Sequence, residues 1–234
     1  MLTVSRGSLA ATLHAVNEAF FYQRRLSAGE RTRAATWIAS RQGMPGSYRG
    51  VMFAPTERDF REGIRLFTGE TVRTRAGTAH ILGEEACRAL ILLDARSSGV
   101  REALARATEG MTVALREVAR SSRWRATRGQ YCCGKCTIAL WRHLAVGGAT
   151  GIGPGDWIAA GMKALMSDRD GTGQWKRFPF WYTLLALSDI EIPSASAELR
   201  YAAPRCERYL RRSRDRDAIG KRRRGLAERI LSRC

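Results

Sequence analysis

Trp37-Ile38-Ala39-Ser40, followed by Gln42 and the turn Pro45-Gly46-Ser47-Tyr48, reads as a loose copy of a second stretch: Trp157-Ile158-Ala159-Ala160, then Leu165 and the turn Asp170-Gly171-Thr172-Gly173-Gln174-Trp175. Each is a helical segment closed by a Gly-rich turn and an aromatic, the pattern of a helix-hairpin repeat. Trp37 and Trp157 are then expected at equivalent places in their hairpins. Outward from these stretches, helices follow one another. Leu9, Leu13, Val16 and Phe20 keep a 3-4 spacing, interrupted by Asn17 and Glu18, that predicts an amphipathic core helix. Ser27 with Glu30 is a capping box ahead of Ala34, Trp37 and Ile38; Thr56 with Asp59 is a similar start ahead of Phe60, Ile64 and Phe67. Further helical runs are predicted over 81–93, 100–118, 136–146, 157–165, 180–187, 198–210 and 219–231. No run alternates Val, Ile and Thr with the period of two that a strand requires. The fold class is therefore all-α, about nine helices in one domain spanning 1–234, arranged as helix-hairpin repeats in a curved or toroid-like array.

Three of these helices share a small residue followed by Leu: Cys87-Arg88-Ala89-Leu90, Thr137-Ile138-Ala139-Leu140 and Leu184-Leu185-Ala186-Leu187. The alanines recur at intervals of 50 and 47 residues, which suits a repeat of one hairpin. A small residue lets neighbouring helices approach closely and the Leu fills their shared core.

Asp170-Gly171-Thr172-Gly173-Gln174-Trp175 followed by Phe178-Pro179-Phe180-Trp181-Tyr182-Thr183-Leu184-Leu185-Ala186-Leu187 resembles the repeat of the α/α-toroid proteins, the terpenoid cyclases and protein prenyltransferase β subunits. The resemblance implies a toroid-like array with an aromatic-lined cavity for an apolar or diphosphate-bearing substrate, bounded by Trp175, Phe178, Phe180, Trp181 and Tyr182. It carries no catalytic residue across. Tyr182 stands where the prenyltransferases place a zinc-binding His, and Asp168-Arg169-Asp170 does not reproduce the acidic motif of the squalene cyclases.

Forty Lys and Arg against 22 Asp and Glu leave a formal charge of +18, and only Lys135, Lys163, Lys176 and Lys221 are lysines. Guanidinium groups make planar, bidentate contacts to phosphate and stack on rings. So cationic a chain attracts polyanions. Two segments concentrate the charge. Residues 205–234 hold 12 basic against four acidic residues, with Arg211, Arg212, Arg222, Arg223 and Arg224 opposite an apolar stripe of Ile219, Leu226 and Ile230. Arg116, Arg120, Arg123, Arg125 and Arg128 surround Trp124, a pairing suited to phosphate contact and base stacking. Nucleic acid is the partner expected from both. The longest purely apolar run, 89–93, is too short to span a bilayer, and the N-terminus has no signal-peptide pattern, so the expected home is the cytoplasm.

Cys132, Cys133 and Cys136 lie within five residues, with His143 two turns further along the same helix face. They are candidate zinc or iron–sulfur ligands, with the distant Cys206 as a further partner. A structural zinc site is usually built from two separated ligand pairs, and the sequence shows one, so no metal and no cofactor are expected; Cys136 would pack as a small hydrophobe, as would Cys87. His14, His80 and His143 are the only histidines. His80 precedes Glu84 and Glu85 and could act as a general base beside them, but the pair reads more simply as the acidic first turn of a helix. Glu18, Asp59, Glu62 and Asp170 are expected on solvated faces. The Gly-rich run 147–155 follows a helix and lacks a subsequent Lys-Ser or Lys-Thr, which excludes a phosphate loop; Pro154 and Asp156 should open the next helix.

Overall fold

A computed structural model describes residues 1–121, 130–149, 151, 153–213 and 217–234. Of the described residues 66% are helical. Among the described residues ten α-helices run in the order α1 Leu9–Phe21, α2 Ala28–Ala39, α3 Glu57–Glu62, α4 Arg75–Leu93, α5 Ser98–Arg120, α6 Gly134–Ala145, α7 Pro154–Ser167, α8 Phe180–Asp189, α9 Pro193–Arg212 and α10 Ala218–Leu231. A two-stranded hairpin, β1 Ile64–Arg65 with β2 Thr71–Val72, is the sheet content of the described residues.

Helix starts follow the cap chemistry. Both capping boxes form, Ser27 with Glu30 and Thr56 with Asp59. Pro154 occupies the first turn of α7, where its missing N–H costs nothing. Gly153 is the N-cap there, and Asp156 stands in the first turn instead of capping it. The Thr56 helix is shorter than its sequence suggests. It stops at Gly63, whose φ of +69° suits a residue without a side chain, and Ile64 and Phe67 belong to the hairpin that follows. Trp37 lies in the last turn of α2 and Trp157 in the first turn of α7, so the two tryptophans do not occupy equivalent places.

The three helices with the Ala-Leu signature form the centre. α4 packs along α6 and α6 along α8, and Ala89, Ala139 and Ala186 are all buried. Helices α1, α2, α3 and α5 cover the α4 side; α7, α9 and α10 cover α6 and α8. Because α4 is enclosed on nearly every side, its polar residues are interior as well. It begins at Arg75, capped by Thr74, so Glu84 and Glu85 sit in mid-helix and are buried, not in an exposed acidic first turn.

Burying charge costs several kcal/mol per ion unless partners compensate, and here they do. Arg142 of α6 donates to Glu85 of α4, to Asp189 Oδ2 at 3.2 Å and to Asn17 Oδ1 at 3.1 Å. Arg88 donates to the same Asn17 oxygen at 2.9 Å and to Asp189 at 3.0 Å, and the Tyr182 hydroxyl donates to Glu85 at 2.5 Å. Two guanidiniums thus balance two carboxylates at a node joining α1, α4, α6 and α8. Burial opposes the charge of Glu85, yet Arg142 and Arg88 hold its carboxyl below the usual range. Asp59 is interior too: it accepts from the Ser8 hydroxyl at 2.6 Å and the Leu9 N–H at 2.9 Å, joining α3 to the start of α1. Glu18 and Glu62 are exposed as expected, and Asp170 is half-buried.

Candidate functional site

On the outer side of α9, Arg205, Arg208 and Arg212 fall one and two turns apart, so the 3.6-residue period brings them to one face. Phe180 and Trp181 from the start of α8 stand opposite, and Tyr209 completes the wall. Together with Ser213 these residues line a pocket of about 340 Å³, at the lower end of the range for ligand-binding cavities. The rings fix one another: Phe180 and Trp181 meet edge-on at 5.0 Å, and Trp181 and Tyr209 at 4.5 Å. Arg205 lies over the Phe180 ring at 5.0 Å, and Arg223 of α10 over Trp181 at 5.6 Å. Arg208 donates to the Thr172 carbonyl at 3.1 Å. Among the described residues none of Arg205, Arg208 and Arg212 has a carboxylate at ion-pair distance, and no acid lines the pocket.

The basic residues singled out from sequence fall into three groups. Arg116 and Arg120 are exposed on α5, with Arg116 donating to the Gly151 carbonyl at 3.0 Å; Arg123, Trp124, Arg125 and Arg128 lie outside the described residues. Arg211 and Arg212 are exposed in the last turn of α9, Arg212 in the pocket. Arg222, Arg223 and Arg224 are half-buried, not opposed to the docking surface as the helical spacing suggests. Arg222 lies over the Phe67 ring at 4.5 Å and donates to the Phe67 carbonyl; Arg223 donates to the Thr68 carbonyl at 2.8 Å; Arg224 donates to the Ser213 carbonyl at 3.0 Å. They pin α10 to the hairpin turn and to the end of α9. Arg205, Arg208 and Tyr209 were not singled out, although the Arg spacing in α9 is visible in the sequence.

The aromatic residues expected to bound a deep cavity also divide. Trp175, Phe178 and Tyr182 are core residues, and Trp175 donates its indole N–H to buried Glu198 at 2.9 Å. Phe180 and Trp181 alone of the five reach the pocket.

A second cluster forms where α4 meets the start of α6. Cys133 caps α6, its sulfur accepting the Cys136 N–H at 3.5 Å and lying 3.4 Å from the Cys136 sulfur. Gly134 follows because a Cβ there would lie 2.1 Å from the Arg177 carbonyl oxygen. The Thr137 hydroxyl accepts the Tyr131 and Cys132 N–H groups at 3.1 and 3.4 Å and folds Cys132 back over the helix. From α4 comes His80, and the ligand atoms of His80, Cys132 and Cys136 all lie within 4.8 Å of one another. Tyr48 stacks on the imidazole at 4.1 Å and Tyr131 meets it edge-on at 5.0 Å, their hydroxyls hydrogen-bonded at 3.0 Å.

Behind His80 lies fully buried Glu84. Its Oε2 is 2.7 Å from His143 Nδ1 and its Oε1 is 3.7 Å from His80 Nε2. Burial works against the charge of both Glu84 and His80. Even so, the two imidazoles hold the Glu84 carboxyl low, and Cys132 and Glu84 raise His80. His143 therefore faces a carboxylate and not the sulfurs, since seven residues of helix set it about 10 Å along the axis from Cys136. Cys206 is buried in α9 apart from this cluster, its thiol pushed up to about 12 by burial.

No family model matches the chain, and neither does any curated protein or solved structure.

Proposed function

We propose that the protein binds nucleic acid through its phosphates, with the pocket between α8 and α9 as a principal grip. The observation that carries this reading is the presence, beside the rings of Phe180, Trp181 and Tyr209, of three guanidiniums that have no carboxylate partner among the described residues. Guanidinium groups supply bidentate phosphate contacts, and half-buried rings supply faces on which unpaired bases stack, a combination that favours single strands over duplex. The formal charge of +18 draws the polymer in from a distance; the pocket holds one segment of it. Arg116 and Arg120, exposed on α5, offer further phosphate contacts.

Fluorescence anisotropy with single-stranded oligonucleotides over a salt series tests this. Arg205→Ala, Arg208→Ala and Arg212→Ala combined should weaken binding to unrelated sequences alike and reduce the log-log salt slope by about 2, at about 0.7 per phosphate contact on a single strand. Trp181→Leu should weaken single-strand binding more than duplex binding. Absence of binding at low salt, where so cationic a protein has every electrostatic advantage, would refute the proposal.

A further inference from the structure

We propose that Cys132, Cys133, Cys136 and His80 hold one zinc ion in tetrahedral Cys3His coordination, with Glu84 and His143 as the outer pair that orients the histidine. Zinc–sulfur bonds of about 2.3 Å and zinc–nitrogen bonds of about 2.0–2.1 Å, at tetrahedral angles, put neighbouring ligand atoms about 3.5–3.8 Å apart. The Cys133 and Cys136 sulfurs are 3.4 Å apart. His80, Cys132 and Cys136 are mutually within 4.8 Å, and the Cys132 thiol interacts with Cys133, Cys136 and His80 together. The His80, Cys132 and Cys136 atoms stand within about an ångström of that spacing, and Cys133, whose sulfur touches that of Cys136 but lies outside this set of three, completes the tetrahedron by turning its side chain. Three soft sulfurs and one imidazole suit zinc, and four protein ligands leave no open position, the arrangement of a structural site and not a catalytic one.

The reason to expect no metal from the sequence was the missing second ligand group. Tertiary structure supplies it: His80 comes from α4, 52 residues before Cys132, and no spacing rule connects the two. The surroundings are also those of a ligand histidine. A metal-bound imidazole usually gives its other ring nitrogen to a carboxylate, and here His80 Nε2 faces Glu84 Oε1 at 3.7 Å. Neither atom has a hydrogen-bond partner among the described residues, although both are buried. With the opposite ring nitrogen on the metal, Nε2 must carry its proton, and a small rotation closes the bond to Glu84. Tyr48, stacked on the ring, holds its plane. On binding, the three thiols release their protons to solvent, leaving thiolates on the ion. The centre would tie the start of α6 to α4.

The test uses the full chain, purified without chelator. Elemental analysis should give one zinc per chain, and Co2+ added after zinc removal should give the intense sulfur-to-cobalt charge-transfer absorption and visible bands of a tetrahedral thiolate site. Cys132→Ser, at an exposed position, should abolish stoichiometric zinc and weaken the cobalt spectrum, while Cys206→Ser and Cys234→Ser keep both. Glu84→Gln should lower zinc affinity about 10–100-fold, as loss of an outer partner does. His80→Gln replaces a buried residue, so the cobalt titration of the unaltered chain decides the matter if that variant does not fold. Iron in place of zinc would overturn the proposal. So would a folded, metal-free chain that ignores Co2+, or a Cys133–Cys136 disulfide that forms and reopens under mild thiol buffers with no metal bound.

Discussion

Glu30 shows how much one carboxylate holds in this chain. It closes the capping box of α2 by accepting the Ser27 N–H at 2.9 Å, and its other oxygen accepts the Leu2 N–H at 2.5 Å and Arg24 at 3.2 Å. The backbone N–H groups of Ser27 and Leu2 hold its carboxyl down to about 2. A carboxyl depressed in the folded state stabilises above its unfolded value near 4.5 and loses that contribution as pH falls toward 2. Glu30→Gln is accordingly expected to lower the melting temperature at neutral pH, with the difference from the unaltered chain shrinking between pH 4.5 and 2. Thermal melts across that interval measure it, and a gap that stays constant with pH would contradict the assignment. Asp170 behaves alike on the Gly-rich turn. It accepts from the Thr172 and Gln174 N–H groups at 2.8 and 3.1 Å, which bring it to about 2.

Between elements, charged groups decide more than exposed charges usually can. Arg142→Ala would take from Glu85 and Asp189 one of the two guanidiniums that balance them, in a node that is almost wholly buried. Breaking such a network by one member costs about 3–5 kcal/mol, against about 1 kcal/mol or less for an exposed pair such as Arg58 with Glu62. Chemical denaturation of Arg142→Ala and Arg58→Ala should reproduce that contrast. The seat of α10 makes a separate case. Arg222, Arg223 and Arg229 donate to the carbonyls of Phe67, Thr68 and Phe21 and cover aromatic rings. Replacing Arg222 and Arg223 by Ala together should therefore loosen α10, by about 1.5–3 kcal/mol per charged hydrogen bond at most. Faster amide exchange over 218–231 would report it; unchanged exchange would restore these arginines to the solvent-facing role their helical spacing suggests.

At the scale of the whole molecule, the proposed grip on polyanions can rest on total charge or on placement. Arg73, Arg96 and Arg101 are exposed and lie away from the α8–α9 pocket lining. Changing those three to Ala gives the same net charge as changing Arg205, Arg208 and Arg212. If the pocket grips a segment of the polymer, the pocket variant should lose markedly more affinity at moderate salt than its charge-matched counterpart, and the two should approach each other at low salt, where long-range attraction dominates. Equal losses at every salt concentration would reduce the interaction to a diffuse field. Among the described residues no helix is long and apolar enough to cross a membrane.

Local chemistry was legible in the chain. Periodicity and caps located the helices, the Ala-Leu signature picked out the three that pack at the centre, and both capping boxes formed at the residues that spell them. These features depend on neighbours within four residues, which a sequence displays directly. Pairings across the fold were not legible. Glu84 and Glu85 became interior residues because α4 begins six residues earlier than its apolar periodicity shows and is enclosed by other helices. Arg222 and Arg223 turned inward because the hairpin turn offers carbonyl oxygens and an aromatic face. His80 met Cys132 and Cys136 because α4 packs along α6. Which distant polar groups meet depends on how the apolar faces pack, and that is settled by the whole molecule at once.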